Sequence, residues 1–172
     1  GGEMPSRGRC WVDGDCVLLT AGGDEGLMRM CKAFLGPGRN IIFPEPSFEM
    51  IRRFAESTLV EVRSVPYPRE GFPTDDVIAA CDHTTSIITV VSPNNPTGDV
   101  ISSNDLLRLA KEVPQAMIML DLAYVEFAEE DLTNLALTLP NVLIFRTFSK
   151  AFGLAGLRIG YVLGQKKWIT LL

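Results

Sequence analysis

The sequence predicts an α/β domain: a mostly parallel, seven-stranded sheet with helices on both faces. Three observations carry this expectation. Seven short apolar runs recur along the chain, beginning at Val17, Asn40, Leu59, Ser86, Ala116, Val142 and Ile159. Most of them are separated by segments of helical periodicity, the alternation that builds βαβ units. The run at residues 86–92 is rich in β-branched side chains on successive positions rather than alternate ones, as in a parallel strand covered on both faces.

Composition narrows the class. The chain of 172 residues is 47% hydrophobic with a formal charge of −5. That suffices for one sizeable core and, at about 100–200 residues each, for a single domain. Basic residues are scattered without interleaved aromatics, which argues against a nucleic-acid partner. No apolar run approaches the ~20 residues of a membrane helix, and the first residues lack a signal-peptide core, so a soluble, cytoplasmic chain is expected. Cys10, Cys16, Cys31 and Cys81 match no zinc spacing and read as free thiols. His83 lies in the polar run Asp82-His83-Thr84-Thr85 and reads as a surface loop residue rather than a base or ligand.

In chain order, residues 1–16 are Gly-rich, charged and weakly patterned, and are expected to form a flexible N-terminal segment ahead of a domain at residues 17–172. Residues 17–20 read as a short buried strand. The turn Ala21-Gly22-Gly23-Asp24-Glu25-Gly26 then opens a helix with apolar positions Leu27, Met30, Cys31 and Phe34, stopped by Gly36 and Pro37. A glycine turn at a helix start offers free N–H groups at the positive end of the helix dipole, a site for an anion, although glycines also serve any tight turn. Residues 40–43 form a second strand, closed by Pro44-Glu45-Pro46. Ser47-Phe48-Glu49-Met50 opens a helix running to about Ser57, with Phe48 placed as a core residue at its start.

Residues 59–65 alternate apolar and polar, as a half-exposed strand does, and residues 75–80 read as a short helix after a proline-rich loop. The strand at residues 86–92 ends in Pro93-Asn94-Asn95-Pro96-Thr97-Gly98, where prolines restrict the backbone and Asn and Gly permit unusual dihedrals. Such a loop can hold an amide rigidly at a strand's C-terminal edge, where open α/β sheets bind ligands. Residues 105–112 are helical in pattern and residues 116–120 form a buried strand. Asp121 follows directly, and a carboxylate there is either a local cap or the partner of a cation, because burial alone raises its pKa.

The run Arg146-Thr147-Phe148-Ser149-Lys150 leads out of the strand beginning at Val142. It is linked through small residues to Arg158 and the last apolar run. A lysine held away from water loses its proton more easily and becomes a nucleophile toward an aldehyde. Flanking hydroxyls at Thr147 and Ser149 with the Arg158 cation suit a phosphate. One loop could therefore serve a phosphate-bearing aldehyde such as pyridoxal 5′-phosphate.

Residues 147–158, Thr-Phe-Ser-Lys-Ala-Phe-Gly-Leu-Ala-Gly-Leu-Arg, resemble the Schiff-base lysine segment of fold-type-I pyridoxal-phosphate-dependent aminotransferases, most nearly the histidinol-phosphate group. The resemblance implies that residues 17–172 are that family's large domain, with an antiparallel last strand, and that its N-terminal arm and C-terminal small domain lie outside the chain. It implies pyridoxal 5′-phosphate as cofactor, Lys150 as the covalent anchor, Asp121 on the ring nitrogen, and Asn95 and Tyr124 on the ring's 3-oxygen. Phe48 would stack on the ring, where relatives commonly carry Tyr. Gly23, Asp24, Thr147, Ser149 and Arg158 would hold the phosphate. Many relatives carry Glu after the aspartate, where this chain has Leu122. The implied activity moves an amino group between a donor such as histidinol phosphate and a 2-oxo acid, in a homodimer. A phosphothreonine decarboxylase, an aromatic aminotransferase and a catalytically silent fragment are the alternatives.

Overall fold

The computed structural model describes residues 12–68 and 70–172. All seven expected strands are present: β1 (Val17–Thr20), β2 (Asn40–Glu45), β3 (Glu61–Pro66), β4 (Thr85–Val91), β5 (Met117–Asp121), β6 (Val142–Thr147) and β7 (Gly160–Leu163). They form one sheet in the order β1-β7-β6-β5-β4-β2-β3. Neighbours from β3 to β6 run parallel, and β7 is antiparallel to both β6 and β1.

Helices α1 (Gly23–Phe34), α2 (Glu49–Glu56) and α6 (Lys166–Leu171) pack on one face of the sheet. Helices α3 (Thr74–Ala80), α4 (Ser103–Glu112) and α5 (Thr133–Leu137) pack on the other. The strand pleat explains the division, since successive side chains point to opposite faces. On β5, Met117 and Met119 join the α1 layer, whereas Ile118 and Leu120 join the α4 layer. Strand β4 is buried along its whole length and the edge strand β3 is mostly open. Burial of this apolar surface, at about 25 cal/mol per Å², is what opposes the chain's conformational entropy.

Three local expectations change. Strand β3 begins at Glu61 because Leu59 is exposed and sits in the left-handed region at φ 59°, a turn conformation that ends the α2 connection. Most of the segment expected to be flexible, residues 1–16, lies outside the described residues. Its last part is packed against the domain: Val12 touches the α4-side core, Gly14–Cys16 form a 3-10 turn, and Cys16 O accepts from Gly164 N at 3.2 Å. Helices α5 and α6, five and six residues long, carry too few turns for a periodic signal. His83 is exposed and Cys31 buried, as expected. No helix among the described residues is long and apolar enough to cross a membrane.

One backbone contact sets how β7 meets α1. A Cβ on Gly160 would lie 2.6 Å from Gly22 C, 2.8 Å from Gly22 O and 2.8 Å from Gly23 N. These are backbone atoms that cannot step aside without moving the start of α1. We expect Gly160→Ala to destabilise the chain by about 1–3 kcal/mol. Gly36→Ala, with nothing within 4 Å of its Cβ, is the near-neutral control. Urea unfolding that gave the two variants the same midpoint would contradict the contact's role.

Candidate active site

The parallel strands deliver their C-terminal ends to one edge of the sheet, and a cavity of about 140 Å³ opens there. Every residue singled out from the sequence lines it: Gly23, Asp24, Phe48, Asn95, Asp121, Tyr124, Thr147, Ser149, Lys150 and Arg158. They come from separate crossover loops, brought together because each follows a strand ending at the same edge.

Asp121 closes β5 and is 6% exposed. Its Oδ1 accepts one hydrogen bond, from Ala123 N at 3.0 Å. Burial pushes its carboxyl up to about 6; the Ala123 N–H opposes this, the Asp24 charge adds to it, and Lys150 opposes it. The local-cap alternative therefore describes part of its bonding, while one backbone N–H leaves the charged form costly.

The Asn pair of the β4 loop divides its work. Asn94 is the fastener: its side chain accepts from Ser47 Oγ at 2.7 Å and donates to Pro46 O at 3.0 Å and Thr97 Oγ1 at 2.9 Å. Asn95 lines the cavity and makes no side-chain hydrogen bond among the described residues. Tyr124 opens the 3-10 turn Val125–Phe127, half-buried. Phe48 immediately precedes α2, with its ring both in the cavity wall and against the α1-side core. Its two sequence alternatives are thus compatible. Leu122, in the place of the relatives' Glu, is an apolar core residue, with only its backbone bonded to Phe145 O at 2.9 Å.

An anion cradle lies at the other end. Helix α1 starts on Gly22, which sits at φ 82° and offers no side-chain cap, so the first amides of Gly23 and Asp24 keep their outward-facing donors. A Cβ on Gly22 would fall 2.4 Å from the Arg158 guanidinium. The glycine makes room for the cation. Arg158 itself adopts a left-handed backbone at φ 50°, an arrangement that costs on the order of 1 kcal/mol in a non-glycine residue. Its Nη1 reaches Ser149 Oγ at 3.4 Å and its Nη2 lies 4.0 Å from Asp24 Oδ2. Thr147 Oγ1 accepts from Ser149 N at 3.1 Å, holding the start of the lysine loop.

Lys150 departs from the expectation of a buried amine. It is exposed at the lip of the cavity, with Nζ 5.3 Å from the centroid of the Tyr124 ring. An ammonium over an aromatic face is attracted by the ring's quadrupole. The loop that carries it leaves β6 and continues over exposed Phe152, Leu154 and Leu157, so tight burial of Lys150 does not follow from this loop alone. Sequence reasoning also left Arg146 out of the site. It lines the cavity from β6 and is 13% exposed, bonded to Glu126 Oε1 at 2.8 Å, Thr133 Oγ1 at 3.0 Å and Asp131 Oδ2 at 3.5 Å. Burial pulls its pKa down, but Tyr161, Glu126 and Asp131 outweigh that and raise it. Its alternation with Thr147 on β6 was the available signal. Among the described residues no group of His, Cys, Asp and Glu could hold a metal ion.

A primary amine, a desolvated carboxylate, a free amide, a phenol and a helix N-terminus beside a guanidinium thus share one small cavity. Fold and cavity together define a lysine-centred α/β domain for a phosphate-bearing aromatic ligand, the donor set and the Gly22 cradle both fitting such a group. The chain belongs to the family of class I and II aminotransferases, which matches residues 12–172. The histidinol-phosphate aminotransferase of Buchnera aphidicola subsp. Schizaphis graminum is 38% identical over 160 residues, covering 91% of this chain and 45% of that protein. The structure of histidinol-phosphate aminotransferase from Sinorhizobium meliloti in complex with pyridoxal-5′-phosphate superposes with a TM-score of 0.84 at 25% identity, over 91% of this chain and 44% of that one. L-threonine-O-3-phosphate decarboxylase from Porphyromonas gingivalis superposes with a TM-score of 0.78 at 28% identity, over 93% of this chain and 50% of that one. The chain spans about half the length of the curated relatives it matches.

Asp121 gives the site a pH signature. Its folded-state value of about 6 lies above the ~3.9 of an unfolded aspartate, so ionising it costs stability. The penalty is complete above about pH 6, shrinks toward pH 4 and is gone below that. We therefore expect Asp121→Asn to stabilise the cofactor-free chain above pH 6 by an amount on the order of 2 kcal/mol. The gain should vanish near pH 4. Urea unfolding across this range checks it, and a gain independent of pH would assign the effect to something other than the buried charge.

Proposed function

We propose that residues 17–172 form the large cofactor-binding domain of a pyridoxal-phosphate-dependent aminotransferase of the histidinol-phosphate type. The carrying observation is the convergence of Lys150, Asp121, Asn95, Tyr124 and Arg158 on one cavity at the sheet's C-terminal edge. Bound there, pyridoxal 5′-phosphate supplies an aldehyde that condenses with amines and a ring that takes up the electron pair left when an α-proton departs.

Everything else is work for the chain's own residues. The Gly23 and Asp24 amides, the Thr147 and Ser149 hydroxyls and the Arg158 guanidinium would hold the phosphate. Phe48 covers one face of the ring. The Asp121 carboxylate would keep a proton on the ring nitrogen, a cation that would relieve its own desolvation. The Asn95 amide and the Tyr124 hydroxyl hold the ring oxygen. The Lys150 amine would form the covalent attachment, and its Nζ, once released, would carry the α-proton. Its open position leaves it free to swing between those two tasks.

The substrate pair is a donor of the histidinol-phosphate kind with a 2-oxo acid, supported by relatives of that name at 34–39% identity. The enzyme acts in histidine biosynthesis, as a homodimer in the cytoplasm. A second reading, a decarboxylase acting on an O-phosphorylated amino acid, is favoured by the similarity to the Porphyromonas gingivalis structure. An amino-group transfer assay with histidinol phosphate, an aromatic amino acid and phosphothreonine as competing donors separates the readings.

Adding pyridoxal 5′-phosphate to the chain should produce an absorbance band near the visible edge. Borohydride should then leave a pyridoxyl group on the peptide containing Lys150, and Lys150→Ala should lose both signals. Label spread evenly over the other lysines, or an unchanged spectrum in Lys150→Ala, would overturn the assignment.

A further inference from the structure

We infer that Arg146 is a positioning residue: its grip on Glu126 fixes the Tyr124 turn against the strand that carries Lys150, and so sets the ring beside the amine. The inference deepens the proposed function, on which it rests for the purpose of the Lys150–Tyr124 pair.

Arg146 lies four residues before Lys150, on β6. Glu126 lies two residues after Tyr124, inside the 3-10 turn that Tyr124 opens. The 2.8 Å pair between Arg146 Nη2 and Glu126 Oε1 therefore spans the two loops that carry the ring and the amine. It is sheltered for an ion pair, with side chains 13% and 22% exposed, so removing one partner leaves the other charge partly desolvated and unpaired. A second anchor backs it. Arg146 Nη1 bonds Thr133 Oγ1 at 3.0 Å and reaches Asp131 Oδ2 at 3.5 Å, while Asp131 Oδ1 accepts from Thr133 N at 2.9 Å. Thr133 is buried at the first turn of α5. The guanidinium is thereby tied to the turn on one side and to the helix that packs on β6 on the other.

The competing role for a cation in a cavity wall is to bind an anionic ligand. Charge balance argues against it here. Arg146 already faces two carboxylates, so recruiting it for an anion would leave Glu126 and Asp131 without their cation. Arg158, by contrast, has one distant carboxylate at 4.0 Å and stands beside a helix N-terminus. The two arginines of the cavity are divided between holding protein and holding ligand.

The test needs no cofactor. Acetic anhydride labels lysine amines in the chain, and mass spectrometry reads the rate at Lys150 relative to exposed Lys111 on α4, which a general loosening of the fold would move equally. The Tyr124 face holds the exposed Lys150 ammonium at 5.3 Å from the ring centroid, so freeing the ring should raise the Lys150-to-Lys111 ratio by a factor of about two to five. Glu126→Gln and Arg146→Met should each produce this rise, and Arg146→Lys a smaller one. In a Tyr124→Leu background Glu126→Gln should add nothing, the non-additivity expected of residues acting through one another. If Arg146→Met fails to fold, Glu126→Gln and Arg146→Lys still decide the question. An unchanged ratio, or the same rise with Tyr124 already removed, overturns the inference. So does loss of inorganic phosphate binding in Arg146→Met with Glu126→Gln silent. A chain that takes up no pyridoxal phosphate yet shows the coupled ratios would lose the proposed function and keep this one.

Discussion

A carboxylate taken out of water at the end of a buried strand is the constraint around which the site is built. Asp121 sits on a sheet whose central strands are covered on both faces, and the pleat that buries Met117 and Met119 in the α1 layer carries Asp121 to the same side. Among the described residues only the Ala123 N–H bonds to it. A hydrophobic substitute would cost the fold less, so the group is explained by what it can hold rather than by what it stabilises. The same desolvation that raises its pKa to about 6 leaves it favouring a cationic partner.

The opposite end of the cavity depends on glycine in a different sense. Gly160 lets β7 approach the turn before α1, and Gly22 leaves space for the guanidinium of Arg158, which follows the lysine loop. Two missing side chains thus place a helix N-terminus and a fixed cation together. The left-handed backbone at Arg158 and the positive φ at Gly22 are local costs accepted at that junction. An anion is the one ligand for which both donors are suited.

Much of this was legible in the sequence, for physical reasons. Strands buried on both faces announce themselves as continuous apolar runs, and β4, β5 and β6 begin within a residue of where the apolar runs at Ser86, Ala116 and Val142 start. Strand ends in a parallel sheet gather at one edge, so motifs directly after strands are brought together without any long-range information. What stayed hidden depends on side-chain geometry. The turn at Leu59 needs a dihedral that alternation does not encode. The exposure of Lys150 follows from the path of residues 151–159, whose apolar side chains lie largely open rather than folding over the amine. The separate tasks of Asn94 and Asn95 become visible only once Pro46 and Ser47 are seen beside the first of them. Arg146 was masked because a cation at the end of a strand reads as a solvated terminus, and its carboxylates are distant in sequence.

Strand β6 shows how one element can serve both layers at once. Its period of two sends Val142 and Ile144 into the α4-side core and Leu143 and Phe145 into the α1-side core. Where the apolar residues end, the alternation continues in polar form. Arg146 faces the α5 layer and binds Glu126 and Thr133, whereas Thr147 faces α1, where a Cβ on Gly23 would lie 3.8 Å from its own Cβ, and supports Ser149. A slip of one residue in the register of β6 would exchange these two side chains and bury the guanidinium among the residues at the start of α1. The packing of Leu143 and Phe145 forbids that slip, because it would also turn the Phe145 ring away from Gly26, where a Cβ would lie 3.2 Å from it. Core packing therefore fixes the register, and the register in turn fixes which layer of the cavity each polar residue of the strand can serve.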